Sequence, residues 1–358
     1  MTQIQHNQLV SFIWNIANDV LVNVYNKGDY RKVILPMIVL RRFDAVLEDT
    51  KKEVLAMKER LTAANIIQQD EALCAVAGQA FCNSSPFTLK DLKSRTNSQQ
   101  LKLDFIAYLD GFSANVQDII TKFKFRNEID TLVEGGVLGL LIEKFVDNRI
   151  NLSNRPVLFD DGSVRLPALD NHSIGTVFEE LLRRFNEENN VTEAGEHFTP
   201  RDIVTLMAEI AFVPIMDKIT DSSYLIYDGA CGTGGILSVS EERLQQLAEA
   251  RGKRINTHIF GQELQPETYA TCKSDLLIKG DGEEANNISF GSTISEDGKA
   301  GMKFDFCISN PPFGTPWKRD LENWGLKDKK DITDGRFLIA YDGNPAYSSV
   351  PSIGDPQM

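Results

Sequence analysis

Between residues 224 and 310 the chain alternates short β-rich runs with helical segments, and this alternation constrains the fold more than any other feature. The runs are YLIYD (224–228), HIFGQE (258–263) and FDFCISN (304–310). Helices are expected between them, from about Gly234 and from about Pro266. Strands that alternate with helical stretches are typical of a parallel sheet with crossover helices. The sequence therefore predicts an α/β domain in this part of the chain.

The residues before this domain predict helices. From Leu9 onward, apolar residues recur at spacings of three and four, and 31–47 is apolar nearly all round, as in a helix buried between others. Residues 151–172 carry turn-rich clusters and no lasting period, which indicates a boundary. We therefore predict a helical N-terminal domain over 1–155 and an α/β domain over 170–358.

Charge and cysteine usage limit the classes of function. The formal net charge is −13, which argues against strong nucleic-acid binding by the isolated chain, although acidity can equally serve solubility alone. No apolar run is long enough for a membrane span, and the first residues lack a signal-peptide pattern. The five cysteines and four histidines lack metal-ligand spacing. We expect reduced thiols, a cytoplasmic location and no metal site.

A glycine-rich turn follows the first β-rich run. The stretch DGACGTGG starts at Asp228 and contains Gly232, Thr233, Gly234 and Gly235 at the start of a predicted helix. Glycines let a ligand approach the backbone, and a helix N-terminus offers free N–H groups. This pattern is typical of a cofactor loop, but a tight structural turn would also explain it.

Glu263 ends the next β-rich run. A carboxylate at the end of the second strand can accept hydrogen bonds from both hydroxyls of a ribose. A solvated loop glutamate is the alternative reading.

The segment EHFTPRDIVTLM (196–207) predicts a helix start. Thr199 is expected to be its N-cap, with Pro200 in the first turn and Asp202 completing a box-like arrangement. Capping does not account for His197 or Phe198, which could line a pocket.

The motif NPPF, residues 310–313, stops the last β-rich run because its two prolines remove two backbone donors. The Asn310 side-chain oxygen and the Pro311 carbonyl can each accept one N–H of an exocyclic amine. Phe313 can stack on the face of an extruded base. The sequence therefore predicts a nucleotide-base pocket formed by Asn310, Pro311, Pro312 and Phe313.

Together these motifs resemble the modification (M) subunit of type I restriction–modification systems, an S-adenosylmethionine-dependent adenine-N6 DNA methyltransferase. The order of FTPR, the glycine loop, the acidic strand end and NPPF is similar to that family, and 12–43 looks like its helical domain. The resemblance implies a Rossmann-like methyltransferase domain with S-adenosylmethionine as cofactor. It also implies double-stranded DNA, a specificity (S) subunit, a restriction (R) subunit and a second M subunit as partners.

The resemblance also implies roles for individual residues. Residues expected to contact the methionine end of the cofactor are Glu196, His197, Phe198, Thr199, Pro200 and Arg201. Residues expected to hold its carboxypropyl and sulfonium region are Asp228, Gly232, Thr233, Gly234 and Gly235. Glu263 is expected to bind its ribose, and Asn310, Pro311, Pro312 and Phe313 the target adenine.

Two departures from the family pattern lead to further expectations. Gly229 stands where the family usually has proline, which predicts a looser turn. The chain also ends where the family runs on, so that of a sheet ordered 3-2-1-4-5-7-6 we expect only the first four strands, with strand 4 as an open edge.

Three other functions are compatible with parts of the sequence. A protein-glutamine N5-methyltransferase would also use NPP with an aromatic residue. A truncated, inactive M-like module would dock on partner subunits through the helical domain. A nicotinamide-dependent oxidoreductase fits the glycine turn but leaves NPPF unexplained.

Overall fold

The computed structural model describes residues 3–169, 171–188, 199–279, 282–312, 318–328, 331–337, 339–341 and 344–346. Its internal contacts divide the chain into two compact units. One, called here the helical unit, comprises 1–191 and 266–288, and the other, the sheet unit, comprises 192–265 and 289–358.

The helical unit confirms the helical prediction for the first part of the chain. Its helices are α1 Gln3–Leu21, α2 Arg31–Leu47, α3 Lys51–Ala63, α4 Asp70–Ala77, α5 Leu89–Lys93, α6 Ser98–Asp110, α7 Ala114–Lys122, α8 Ile129–Glu134, α9 Leu138–Phe145 and α10 Asn171–Glu188. Between α9 and α10, strands β1 (Val157–Leu158) and β2 (Val164–Leu166) pair antiparallel. Thr88 and Asp91 form a capping box at the start of α5, which fixes where that helix begins.

Helix α2 lies at the centre of the helical unit and is buried along most of its surface, as its apolar sequence predicted. Its Phe43 ring packs on Phe81 with ring centroids 4.5 Å apart. The buried guanidinium of Arg42 donates through Nη1 to the carbonyls of Leu152 (3.1 Å) and Leu169 (2.9 Å). A buried cation needs such acceptors, so Arg42 fixes the turn-rich segment 151–169 against this helix.

A later helix completes the helical unit. Helix α13 (Pro266–Ile278) begins where the sequence predicted. Its Tyr269 hydroxyl donates to Asp118 Oδ2 on α7 (3.1 Å), and Lys273 Nζ donates to the same oxygen (3.2 Å). The helical unit is therefore not one continuous stretch of chain.

The sheet unit is built on a four-stranded sheet in the order β5-β4-β3-β6. The strands are β3 Ser223–Asp228, β4 Asn256–Glu263, β5 Ile288–Phe290 and β6 Phe306–Cys307. Strand β3 runs parallel to β4 and to β6, and the expected order 3-2-1-4 is confirmed. The other elements of this part of the chain are α11 Arg201–Phe212, α12 Gly235–Glu249, α14 Lys318–Asn323, and the antiparallel pair β7 Ile339–Tyr341 and β8 Asn344–Ala346.

Strand β6 is shorter and more exposed than its apolar sequence indicated. Only Phe306 and Cys307 join the ladder; Phe306 is half-buried and Cys307 is exposed. Within the described residues β6 pairs with β3 alone, so one of its edges lacks a neighbouring strand. Phe212 of α11 packs against β6, with its ring centroid 4.8 Å from that of Phe306. Across the described ranges, no helix combines the length and apolar character needed to span a membrane.

Candidate functional site

The glycine loop begins at the carboxyl end of the central strand β3. Asp228 is fully buried there, and its Oδ1 accepts a hydrogen bond from the Ala230 N–H (3.0 Å). Gly232 and Gly234 have φ values of 55° and 89°, a left-handed conformation that favours glycine. Gly234 is the N-cap of α12, so the predicted sequence of strand, glycine turn and helix is confirmed.

Gly229, which stands where the family usually has proline, packs against Thr293 in the turn after Asp228. The Thr293 hydroxyl donates to the Gly229 carbonyl. A Cβ at Gly229 would lie 3.1 Å from Thr293 Cγ2 and 3.3 Å from the Tyr227 hydroxyl. The expectation of a looser turn stays a prediction; in this structure Thr293 and Tyr227 lie close to Gly229.

Glu263, at the end of β4, lies against the glycine loop. Its Oε2 accepts from the Gly232 N–H (2.9 Å), and its Oε1 accepts from the Gln265 N–H (2.6 Å). An ionised carboxylate has about four acceptor positions. The glutamate therefore shapes the loop, and its oxygens are of the type that accepts hydrogen bonds from hydroxyl groups.

Ser309 connects the glycine-loop strand with the NPPF segment. Its hydroxyl donates to Asp228 Oδ1 at 2.6 Å, whereas Asp228 Oδ2 is buried without a hydrogen-bond partner among the described residues. Burial raises the pKa of Asp228 to about 6, against the opposing effect of the hydrogen bonds from Ser309 and Ala230. Sequence reasoning gave Ser309 no role, although its position directly before Asn310 was visible.

Asn310 lies beside Thr199, the residue that precedes the N-cap of α11. Asn310 Nδ2 donates to Thr199 Oγ1 at 2.9 Å. The predicted capping role of Thr199 is wrong: the N-cap is Pro200, without a side-chain cap bond, and the Asp202 carboxylate accepts from the Ile203 N–H instead. The Thr199 hydroxyl therefore contacts Asn310 and does not cap α11.

The other predicted site residues are distributed around this centre. Pro311 and Pro312 are exposed, and Thr233 is half-buried in the glycine turn. The Arg201 guanidinium lies 3.3 Å from Glu242 Oε2, so it pairs α11 with α12. The predicted residues that lie outside the described part of the chain are Glu196, His197, Phe198 and Phe313.

Gln262 is a second residue that sequence reasoning missed. It is fully buried, and its Nε2 donates to the carbonyls of Gly291 (3.2 Å) and Glu296 (2.6 Å). Its Oε1 accepts from the Gly298 N–H (3.2 Å). It therefore holds the loop after β5 beside the acidic end of β4; the signal was a glutamine at an otherwise buried strand position.

The local chemistry fits a nucleoside ligand that also carries an anionic group. A Cβ at Gly232 would point into a space where no described atom lies within 4 Å. Next to this space lies the N-terminus of α12, where the backbone N–H groups of the first turn point away from the helix. The Glu263 carboxylate, which accepts from the Gly232 N–H, has the chemistry to accept from hydroxyl groups as well. In the described parts of the chain, no three His, Cys, Asp or Glu side chains are grouped as a metal site.

Comparison with known proteins agrees with this geometry. Residues 169–346 match the N-6 DNA Methylase family, and residues 9–145 match the HsdM N-terminal domain. The type I restriction enzyme MjaIX methylase subunit of Methanocaldococcus jannaschii is 23% identical over 317 residues, which cover 84% of this chain and 50% of that protein. The type I restriction enzyme MpnII methylase subunit of Mycoplasma pneumoniae is 23% identical over 375 residues. This match covers 94% of this chain and 62% of that protein.

A solved structure shares the fold. It is a type I restriction-modification system methyltransferase subunit from Streptococcus thermophilus, with a TM-score of 0.56 and 19% identity, and the match covers 90% of this chain and 67% of that one. The chain spans between half and two thirds of the length of the curated relatives described above. With an HsdM N-terminal domain followed by an N-6 DNA methylase domain, the chain belongs to the family of type I restriction-modification methyltransferase subunits.

Proposed function

We propose that this chain is the methylation subunit of a type I restriction–modification system. In this proposal it transfers a methyl group from S-adenosylmethionine to N6 of an adenine that is flipped out of a specific DNA sequence. The observation that carries the proposal is the hydrogen bond between Ser309 and Asp228 (2.6 Å), because it joins the NPPF segment to the glycine-loop strand. A cofactor loop and a base pocket must be neighbours for a group to pass between their ligands.

The glycine loop and the end of β4 would hold the cofactor. Gly232, Thr233, Gly234 and Gly235 would lie against it, Asp228 would fix the start of the loop, and Glu263 would accept hydrogen bonds from its ribose hydroxyls. The predicted contacts of residues 196–201 with the methionine end belong to the same proposal. S-adenosylmethionine supplies an electrophilic methyl group on a sulfonium.

The NPPF segment would hold the target base. Asn310 Oδ1 and the Pro311 carbonyl would each accept one N–H of the adenine amine, and Phe313 would stack on the ring. Two acceptors localise the nitrogen lone pair away from the ring and direct it outward. Such a site needs position and electrostatics more than a strong base.

The net charge of −13 supports a division of labour with other subunits. Phosphate contacts require basic surface, so we propose that a specificity subunit supplies most of the DNA contacts. We propose the restriction subunit and a second methylation subunit as further partners, in the cytoplasm.

Calorimetric titration with S-adenosylmethionine and with S-adenosylhomocysteine tests the cofactor site directly. We expect both to bind to the purified chain, and methylation of DNA to follow once a specificity subunit is added. Circular dichroism on the same sample establishes that the chain is folded. A folded chain that binds neither ligand would contradict the proposal and favour an inactive docking module.

Replacing Glu263 by alanine is expected to weaken S-adenosylmethionine binding by about tenfold or more, because hydrogen bonds to a charged acceptor contribute about 1.5–3 kcal/mol. Glu296→Ala is the matched control, since that residue is a nearby acid outside the proposed ligand contacts. Unchanged affinity in the Glu263 variant would contradict the ribose assignment.

The Gly232→Ala variant tests whether the glycine loop binds the cofactor, and its control separates this effect from a loss of fold stability. At a φ of 55° a side chain costs about 1 kcal/mol, and here its Cβ would occupy the space proposed for the cofactor. Gly78→Ala is the control, because that glycine also has positive φ (64°) and open space around it but lies at the end of α4. Both variants should lose similar stability in urea unfolding, and only Gly232→Ala should lose cofactor affinity.

A further inference from the structure

Residues 291–294, which directly follow β5, contact both sides of the proposed cofactor site. The Gly291 N–H donates to the Glu263 carbonyl at the end of β4 (3.0 Å). The Thr293 hydroxyl donates to the Gly229 carbonyl at the start of the glycine loop. These four residues, called here the β5 loop, therefore lie between the end of β4 and the glycine loop, and a shift in their position would reach both.

The Arg336 guanidinium holds the β5 loop through two neighbouring carbonyls. Its Nη1 donates to the Thr293 carbonyl (2.7 Å), and its Nη2 donates to the Ile294 carbonyl (2.9 Å). Nε and Nη2 also donate to the Asp334 carboxylate (3.1 and 2.7 Å), and Asp297 Oδ2 lies 3.5 Å from Nη1. A guanidinium only donates, so the direction of each contact is fixed. Its planar fork leaves two successive carbonyls little freedom.

An apolar cluster packs beside this contact. Its members are Ile294, Leu321, Trp324, Leu326, Ile332 and Phe337, of which Leu321 and Ile332 are buried. Except for Ile294, they belong to residues 318–328 and 331–337, called here the outer segment, which follows the NPPF motif along the chain. The Arg336 guanidinium lies over the Phe337 ring, 5.3 Å from its centroid. Ile294 therefore meets the outer segment through both its side chain and its carbonyl.

We propose that Arg336 is a positioning residue for the cofactor site. In this inference, which rests on the proposed function, Arg336 fixes the backbone of Thr293 so that the Thr293 hydroxyl holds the Gly229 carbonyl. The start of the glycine loop is thereby set in place by a residue that makes no contact with the ligand. Ligand-binding atoms must be held to within about 0.5 Å, and supporting hydrogen bonds of this kind supply that precision.

The same contacts connect the cofactor site with the outer segment. Coupling between two binding events is reciprocal: if docking of the outer segment strengthens cofactor binding, the cofactor strengthens that docking by the same factor. S-adenosylmethionine should therefore slow hydrogen exchange in the outer segment, although none of the residues of this segment is a proposed ligand contact.

Three variants separate the guanidinium fork from its charge and from the next contact along the route. Arg336→Ala removes fork and charge, whereas Arg336→Lys keeps the charge and replaces the fork by a single ammonium group. Thr293→Val keeps the shape of the side chain and removes the hydroxyl that reaches Gly229. Arg251→Ala is the matched control, since Arg251 also donates to a backbone carbonyl, that of Leu247 (3.2 Å), just beyond the carboxyl end of α12.

We expect Arg336→Ala to weaken S-adenosylmethionine binding by about tenfold in calorimetry, near the lower end of what a hydrogen bond to a charged group contributes, because the glycine loop keeps its other contacts. Arg336→Lys should stay within about threefold of Arg336→Ala, and Arg251→Ala should match the parent. Turnover at saturating cofactor, in the complex with a specificity subunit, should stay within about threefold of the parent. Parent affinity in Arg336→Ala or in Arg336→Lys would overturn the inference.

The double variant Arg336→Ala with Thr293→Val tests whether Arg336 acts through Thr293. If it does, the double variant should bind S-adenosylmethionine within about threefold of the weaker single variant. Independent residues would instead multiply their losses, and that result would contradict the proposed route. Urea unfolding of all variants shows whether a loss of affinity follows a loss of fold stability.

Hydrogen exchange followed by mass spectrometry tests the contact without ligand or activity. Peptides that cover 291–294 and 331–337 should exchange faster in Arg336→Ala than in the parent, and at the parent rate in Arg251→Ala. Unchanged exchange in ligand-free Arg336→Ala would overturn the inference, as would cofactor binding that leaves the 331–337 peptide of the parent unaffected. If the parent binds no S-adenosylmethionine, the proposed function fails, while the ligand-free comparison still decides whether Arg336 holds the β5 loop.

Discussion

An Asn310→Ala variant is expected to lose methyl transfer by about 10³-fold and to bind S-adenosylmethionine as the parent does. The alanine removes one of the two proposed acceptors for the adenine amine, and loss of a single preorganised hydrogen-bonding group at a reacting centre typically costs about 10²–10³ in turnover. Removing the anchor for the base adds to that loss. Among the contacts of the described residues, the amide bonds to Thr199 and to no atom of the glycine loop, so the glycine-loop part of the cofactor site should remain intact.

The measurement is single-turnover transfer of labelled methyl groups to DNA in the complex with a specificity subunit, with cofactor affinity measured in parallel. Asn323→Ala is the control, because that exposed amide on α14 donates only to a surface hydroxyl, Ser295 Oγ at 3.2 Å, among the contacts described. Transfer by Asn310→Ala at close to the parent rate would exclude the assignment of Asn310 to the target amine.

The second large effect is expected in the helical unit, where Asp44 of α2 is buried. Burial raises the pKa of Asp44 to about 6, although Arg41 and the Leu89 N–H counteract it. A carboxyl with a raised folded-state pKa stabilises the fold below its unfolded pKa, and that stability is lost as the pH rises through about 6. We therefore expect Asp44→Asn to become more stable relative to the parent as the pH rises.

From acidic pH to pH 8 the relative gain should reach about 3 kcal/mol, since each pKa unit corresponds to about 1.36 kcal/mol. About half of it should develop between pH 5 and pH 8, where urea unfolding of both proteins can be compared. The asparagine side chain that replaces Asp44 would still accept the hydrogen bond that the Leu89 N–H now donates to Asp44 Oδ1. Lys51, whose pKa burial lowers to about 8 against the opposing effect of Asp44, and Glu48 are the other charged groups near Asp44, and both residues are kept in the variant.

Asp147→Asn is the control of opposite sign. Arg149 lowers the pKa of Asp147 to about 2, so this carboxylate stabilises the fold above its unfolded pKa and the stability is lost as the pH falls. The asparagine variant should therefore lose stability relative to the parent at neutral pH. A difference between Asp44→Asn and the parent that does not change with pH would show that Asp44 is not titrating with a raised pKa.

Much of the fold could be predicted because its sequence signals are local. The apolar spacing of α1, the apolar surround of α2 and the alternation that gives β3, α12 and β4 each fix an element within one stretch of chain. Strand β6 was harder, because FDFCISN has the composition of a buried strand. Only its edge position in the described sheet explains why two residues pair and Cys307 is exposed.

The residues of the candidate site could be proposed from the sequence, but their contacts could not. Asp228, Glu263 and Asn310 were identified from motifs at strand ends. The sheet places them at the carboxyl ends of its parallel strands β3, β4 and β6. The hydrogen bond from Ser309 to Asp228 joins residues 81 positions apart, and that between Asn310 and Thr199 joins residues 111 apart. No local pattern encodes such pairs. Thr199 was assigned to helix capping because threonine before a helix usually has that role.

The hydrogen bond between Glu263 and the Gly232 N–H has a consequence for the thermodynamics of ligand binding. Because Glu263 already holds the glycine loop, the loss of backbone conformational entropy takes place when the chain folds and not when a ligand arrives. A ligand that enters a preformed loop meets a smaller entropic penalty and needs no slow rearrangement. Ligand association with this loop should therefore be a single fast step, because no closure of the loop has to accompany it.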